Sequence, residues 1–248
     1  MLSKSQISFI KSLHQKKYRK EHGLFIVEGI KSLQEFFQSS YQIHTIFYNS
    51  EQYHLLPKLP ANINLFEVKN AELEKISTLQ TPQGFLALIH IPKNRELAPN
   101  ELKNQFTIVL DGVQDPGNMG TIIRTADWFG FKNIICSPDC VEIFNPKTVQ
   151  ATMGSLARIN IYEADLPALL DKNTIPVFGA LLDGESIYRT QWGTEGLVIL
   201  GNEGKGISAE VIKKINKPVT IPRVGAAESL NVAVSAAIFC AELVRVRN

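Results

Sequence analysis

"LVILGNEGKGIS", Leu197 to Ser208, runs from four consecutive apolar residues straight into a polar, glycine-rich turn. An unbroken apolar run, rather than an alternating one, is how a strand covered on both faces of a parallel sheet reads. In open sheets of that kind ligands bind beyond the carboxyl ends of the strands. The turn "GNEGKG" therefore lies where a site belongs. Two further stretches repeat the pattern of strand, polar turn and helix: "LDGVQDPGNMGTIIRTADWFG", Leu110 to Gly130, and "VTIPRVGAAESLNVAVSAA", Val219 to Ala237.

Other apolar runs, "FTIVLDG", "NIICSP", "IPVFGALL" and "PVTIPR", alternate with helical stretches over residues 106–248. This half reads as a helix-flanked parallel sheet. Upstream, "IPKNRELAPNELKNQ" (Ile91–Gln105) holds two prolines in a mostly polar segment, which suits a linker over residues 96–105. Residues 1–95 carry a basic helix, the strands "LFIVEG", "IHTIFY", "INLFEV" and "FLALIHI", and the helices "IKSLQEFFQS" and "AELEKIS". That is a small α/β module ahead of a larger one.

At 248 residues and 44% hydrophobic content the chain can bury a sizeable core in one large or two modest domains. No apolar run approaches the ~20 residues that span a bilayer, and Met1 is followed by a mixed polar segment unlike a signal peptide. The expectation is a cytoplasmic protein without a membrane anchor. Three cysteines do not make a disulfide framework, and all five histidines precede residue 91. Free buried thiols and no metal site are expected.

The net charge of +2 hides an asymmetry. Residues 1–95 carry 12 basic against 7 acidic side chains, and residues 96–248 carry 14 against 17. "KSLHQKKYRK" (Lys11–Lys20) alone holds five basic residues and no acid. It reads either as a solvated helix face or as a phosphate-binding patch built on Lys16, Lys17, Arg19 and Lys20.

The three turns are not familiar phosphate loops. "GNEGKG" lacks the G-x-G-x-x-G spacing of dinucleotide folds and the G-x-x-x-x-G-K-[ST] pattern of nucleotide hydrolases. Taken singly, it is a generic glycine turn and Arg124 a surface arginine. Ser229 and Asn231, just ahead of the small apolar run "NVAVSAA", read as helix caps or as a binding edge. Three such turns at successive strand ends favour a functional reading, because functional side chains concentrate on such loops.

Together the three segments resemble, in order and spacing, the three motifs of the SpoU (TrmH-like) RNA ribose methyltransferases of the SPOUT class. The matching positions are Asn118 and Arg124 in "DPGNMGTIIR", Glu203 in "GNEGKG", and Ser229, Leu230 and Asn231 in "SLN". "KKYRKEHGLFIVEG" is similar to the start of the ribosomal-protein-like RNA-binding domain that many members carry. The resemblance implies an RNA-binding domain over 1–95 and a methyltransferase domain over 106–248, whose carboxy-terminal part forms a trefoil knot. It further implies S-adenosylmethionine held near Leu181, Gly201, Ile221 and Leu230, and a homodimer paired through the catalytic domain. The substrate implied is structured RNA, ribosomal in preference to transfer. Arg124, Asn118, Glu203, Ser229 and Asn231 are then the catalytic set. The chain departs from the family at Arg223, where the third motif commonly has Met after Ile-Pro, and at "ATMGS" (Ala151–Ser155). Arg223 is thereby a candidate for a phosphate contact of its own.

A methyl group on a sulfonium is already electrophilic, so the protein must mainly align it with its acceptor. A ribose 2′-hydroxyl is a poor nucleophile, and its developing negative charge needs a cation. Arginine keeps its charge in proteins, so Arg124 suits orientation and charge stabilisation better than proton abstraction. Two alternatives stay open: a base methyltransferase of the same knotted class, and a non-catalytic RNA-binding protein on this fold.

Overall fold

The computed structural model describes residues 1–93 and 97–247; positions 94–96, inside the expected linker, and Asn248 lie outside the described residues. In chain order the regular elements are α1 (Lys4–Ser12), α2 (Lys16–His22), β1 (Leu24–Glu28), α3 (Ile30–Phe37), β2 (Ile43–Tyr48), β3 (Asn64–Glu67), α4 (Asn70–Ile76) and β4 (Phe85–His90). They continue with β5 (Phe106–Leu110), α5 (Pro116–Trp128), β6 (Asn133–Cys136), α6 (Pro146–Thr152), β7 (Asn160–Glu163), α7 (Leu166–Asp171), β8 (Val177–Ser186), β9 (Gly196–Leu200), α8 (Ala209–Ile212), β10 (Lys217–Thr220) and α9 (Val232–Arg245). Contacts group these into two compact units, Met1–Lys93 with Glu142–Arg158, and Asn94–Val141 with Ile159–Asn248.

In the first unit a four-stranded sheet has the order β1-β4-β2-β3, with β4 antiparallel to both β1 and β2 and β2 parallel to β3. Helix α1 begins at a capping box. The Ser3 hydroxyl accepts the Gln6 N–H at 3.2 Å, and the Gln6 side chain accepts the Ser3 N–H at 2.9 Å. Ile10, Leu13, Leu73 and Ile76 from the helices pack with Ile26, Leu86 and Leu88 from the sheet. Residues 142–158, far along the chain, complete this unit: α6 packs on β1, and the Phe144 ring lies 4.8 Å from that of Phe25.

That segment also changes the reading of the basic run. Lys16, Lys17 and Lys20 are exposed. Arg19 is not: it is 1% exposed, ion-paired with Glu142, and donates from Nη1 to the Leu13 carbonyl at 2.8 Å. An arginine with its fork spent inside the unit is not available to RNA, so Arg19 leaves the set of candidate phosphate ligands. The seven-residue helix has two faces, and Arg19 falls on the one turned to the core.

The second unit is built on six strands in the order β10-β8-β9-β5-β6-β7, and every neighbouring pair is parallel. The central strands β5 and β9 are buried along their whole length, which is why they read as unbroken apolar runs. The edge strand β7, "NIYE", buries only Tyr162 and has no such run, so nothing in these four residues signals a strand. Between β8 and β10 the register jumps: Pro218 pairs with Gly179, but Val219 pairs with Glu185. Residues 180–184 therefore bow out of the sheet. A β-carbon on Gly184 would overlap the Pro218 backbone, so the bow returns in close contact with β10. Cys136, Cys140 and Cys240 are free and buried. Among the described residues no helix is long and apolar enough to cross a membrane.

Candidate active site

The three motif loops meet at the carboxyl ends of β5, β9 and β10. Asn202, at the end of β9, ties two of them: its Nδ2 donates to the Gly112 carbonyl at 2.7 Å, and its Oδ1 accepts the N–H groups of Gly204 and Lys205 at 2.9 and 3.0 Å. That side chain both shapes its own turn and holds the loop after β5. Below it, Asp111 Oδ2 accepts the Ser208 N–H at 2.7 Å. Gly201 is required where the turn folds back, since a β-carbon there would overlap the backbone of Gly206 and Ile207.

A second layer joins all three loops. Asp115 caps α5 by accepting the Asn118 N–H at 2.7 Å, and Pro116 fills the first helical position. Asn118 Nδ2 donates to Glu203 Oε1 at 3.0 Å, while Asn118 Oδ1 accepts from Asn231 Nδ2 at 2.9 Å. Asn231 in turn caps α9, its Oδ1 accepting the N–H groups of Ala233 and Val234 at 2.8 and 3.3 Å. Cap and functional edge are thus one residue. Glu203 also accepts the N–H groups of Asp115 and Gln114, at 3.2 and 3.3 Å. Partial burial opposes charge on its carboxyl, but the bonds from Asn118 and from backbone N–H groups outweigh it and hold Glu203 below the usual carboxylate range.

Beside this network lies a cavity of about 560 Å³ at the ends of β8, β9 and β10. Leu181, Gly201, Ile221 and Leu230 all line it, as do Glu203 and Ser229. Leu200, Val232 and Phe239 add apolar wall. Ser229 is exposed and makes no hydrogen bond among the described residues, so it is no cap.

Arg124 stands apart. It is exposed, does not line the cavity, and has no hydrogen-bond or ion-pair partner among the described residues. Helical geometry places it about 9 Å along α5 from Asn118 and on a different face. The structure joins Asn118, Glu203 and Asn231 to one another, not to Arg124. Sequence reasoning passed over Asp115, Asn202 and Lys205, the last of which also lines the cavity. The first two carried readable signals, an Asp-Pro helix start and an Asn at the head of a glycine turn.

The SpoU rRNA methylase family matches residues 105–241, more than half of the chain. The chain belongs to that family. Residues 4–87 match a second family, the MRM3-like substrate binding domain. Among relatives, the chain is 31% identical over 232 residues to the 23S rRNA (guanosine(2553)-2'-O)-methyltransferase of Bacillus subtilis, covering 92% of this chain and 91% of that one. A solved structure from Porphyromonas gingivalis assigned to the TrmH family of RNA methyltransferases is 38% identical, with a TM-score of 0.91 over 99% of both chains. An AdoMet-bound rRNA methyltransferase from Sinorhizobium meliloti is 28% identical, with a TM-score of 0.88 over 99% of this chain and 97% of that one.

Proposed function

We propose that the protein transfers a methyl group from S-adenosylmethionine to a ribose 2′-hydroxyl in structured RNA, ribosomal RNA above transfer RNA, in the cytoplasm. The observation that carries this reading is the Glu203–Asn118–Asn231 network, which joins the three motif loops beside the cavity that the second and third of them line.

The cavity suits the donor. Its volume lies within the range of small-molecule sites. Leu181, Ile221 and Leu230 offer apolar wall to an adenine and an aliphatic chain, and the bare backbone at Gly201 permits close approach. Bound there, S-adenosylmethionine supplies an electrophilic methyl group that needs alignment more than activation. Glu203, held ionised, anchors Asn118. Asn118 fixes the Asn231 amide, and Asn231 fixes the start of α9, so the cavity walls keep one spacing. These three are positioning residues. Arg124 acts on the RNA side, its guanidinium orienting the ribose-phosphate and stabilising negative charge as it develops on the 2′-oxygen; the hydroxyl proton leaves to solvent water as the new O–C bond forms and the S–C bond to the methyl group breaks, leaving a neutral thioether. Ser229, free at the cavity wall, donates to the same ribose.

Lys16, Lys17 and Lys20, exposed on α2, supply phosphate contacts for RNA capture by the domain at 1–95, with 96–105 as linker and 106–248 as the catalytic domain. The trefoil knot is part of this reading. The bow at residues 180–184 supports it, with Thr220 Oγ1 donating to the Leu182 carbonyl at 3.0 Å. So is a homodimer. Val234, Ala237, Ile238 and Ala241 form an incompletely buried apolar stripe on α9, and α5, which packs against α9, carries Trp128 at 84% exposure. Arg124 lies one turn from Trp128 on the same face of α5.

The test is to incubate ribosomal RNA from cells lacking the protein with labelled S-adenosylmethionine. Transfer that requires the protein supports the reading; donor binding without transfer to any RNA would overturn it.

A further inference from the structure

Arg223 and Lys205 line the cavity from different loops, and the network that locks those loops uses neither side chain. Arg223 turns back along its own loop, Nη1 donating to the Ala227 carbonyl at 3.3 Å. That bond orients the guanidinium and leaves most of its five N–H donors free. Lys205 stands on the turn that Asn202 holds, and its ammonium has no partner among the described residues. Of the acids on the same wall, Glu203 is engaged by Asn118, Asp115 and Gln114, and Glu228 pairs with neither cation among the described residues. Two cations that line one cavity, neither paired with a carboxylate among the described residues, make a seat for an oxyanion.

Chemistry narrows the choice of oxyanion, and this step rests on the ribose reading above. The 2′-oxygen sits on the carbon next to the one that bears the 3′-phosphodiester. A 2′-hydroxyl that reaches the cavity brings that phosphate with it at a separation set by covalent bonds. We infer that Arg223, assisted by Lys205, binds the phosphodiester on the 3′ side of the target ribose and thereby positions the 2′-hydroxyl. The other oxyanion source is the carboxylate of the donor's amino-acid end. Exposure favours the phosphate: every residue from Pro222 to Asn231 is exposed, so Arg223 stands on a loop open to a ligand arriving from solvent.

The experiment uses the full chain, ribosomal RNA from cells lacking the protein, and the variants Arg223→Met, Arg223→Lys and Lys205→Met. Arg223→Met should raise the RNA concentration for half-maximal single-turnover transfer about ten-fold. It should lower the salt slope of RNA binding by about 0.7 to 0.9 and leave donor affinity within about two-fold. Arg223→Lys should recover part of the loss and keep the salt slope, since it restores a point charge without the fork. Lys205→Met should change the same quantities less. Loss of affinity for S-adenosylmethionine but not for its decarboxylated analogue would overturn the inference in favour of the donor carboxylate. An unchanged half-saturation and salt slope would overturn it outright. If the wild-type protein placed its label on a base, the ribose reading itself would fall, and that is read separately by digesting the product.

Discussion

Helix α2 and helix α5 each carry an arginine that the sequence offers as an RNA ligand, yet Arg19 is 1% exposed and paired with Glu142 while Arg124 is exposed and has no partner among the described residues. The difference lies in what each helix packs against. Helix α2 lies on β1, and Glu142, 123 residues downstream, meets Arg19 there. Helix α5 buries Met119, Ile122, Ile123 and Ala126 and leaves Arg124 and Trp128 outward. A charge that is buried and paired holds the fold, whereas a charge left outward without a partner is free to meet substrate.

Substitution at the two arginines should separate these roles. Arg19→Ala leaves Glu142 without its partner in a largely buried place and should cost about 3–5 kcal/mol in denaturant unfolding. Whatever remains folded should bind RNA with an unchanged salt slope; a reduced slope would return Arg19 to the RNA surface. Arg124→Ala should unfold like the wild type and bind S-adenosylmethionine equally well by calorimetry. Its turnover should fall by about 10²- to 10³-fold. A large loss of donor affinity would mean that Arg124 serves the cavity after all. Between these extremes, Lys16→Ala, Lys17→Ala and Lys20→Ala combined should lower the salt slope of RNA binding by roughly 2 to 3 without changing the unfolding midpoint. An unaltered slope would make α2 a solvated face.

Much of the catalytic half was legible because its central strands are buried on both faces and its loops carry their own turn chemistry. Continuous apolar runs marked β5, β6, β8, β9 and β10, and Asn231 stood out at a helix start, whereas Asn118 and Glu203 were singled out by the order and spacing of the three family motifs. The family resemblance, not periodicity, brought Leu181 and Ile221 into the set that lines the cavity. What stayed hidden depended on distance along the chain. Nothing near Arg19 announces Glu142, and nothing near Glu142 announces that residues 142–158 pack with the amino-terminal sheet. The separation of Arg124 from the Asn118 network was also unreadable, because motif order gives sequence spacing and not helix face. β7 was missed because an exposed edge strand needs no apolar run.

Smaller effects sharpen the same contrast within the locked corner. Asn231→Ala removes the α9 cap and should cost about 1 kcal/mol of stability, with a loss of turnover beyond what that explains. Because the folded-state pKa of Glu203 is depressed, its contribution to stability is present above the unfolded-state pKa and is lost as pH falls through the folded one. Glu203→Gln should therefore flatten the acid limb of a stability-against-pH profile slightly, since the group is largely exposed. An acid limb identical to that of the wild type would detach Glu203 from the network.

The most direct test of ribose methylation is alkaline digestion of RNA labelled by the protein from S-adenosylmethionine. A methylated 2′-oxygen cannot attack its neighbouring phosphate, so the label should emerge in alkali-resistant dinucleotides, and Arg124→Ala should slow the appearance of that signal by about 10²- to 10³-fold. Label emerging in ordinary mononucleotides would place the methyl group on a base and remove the role assigned to Arg124.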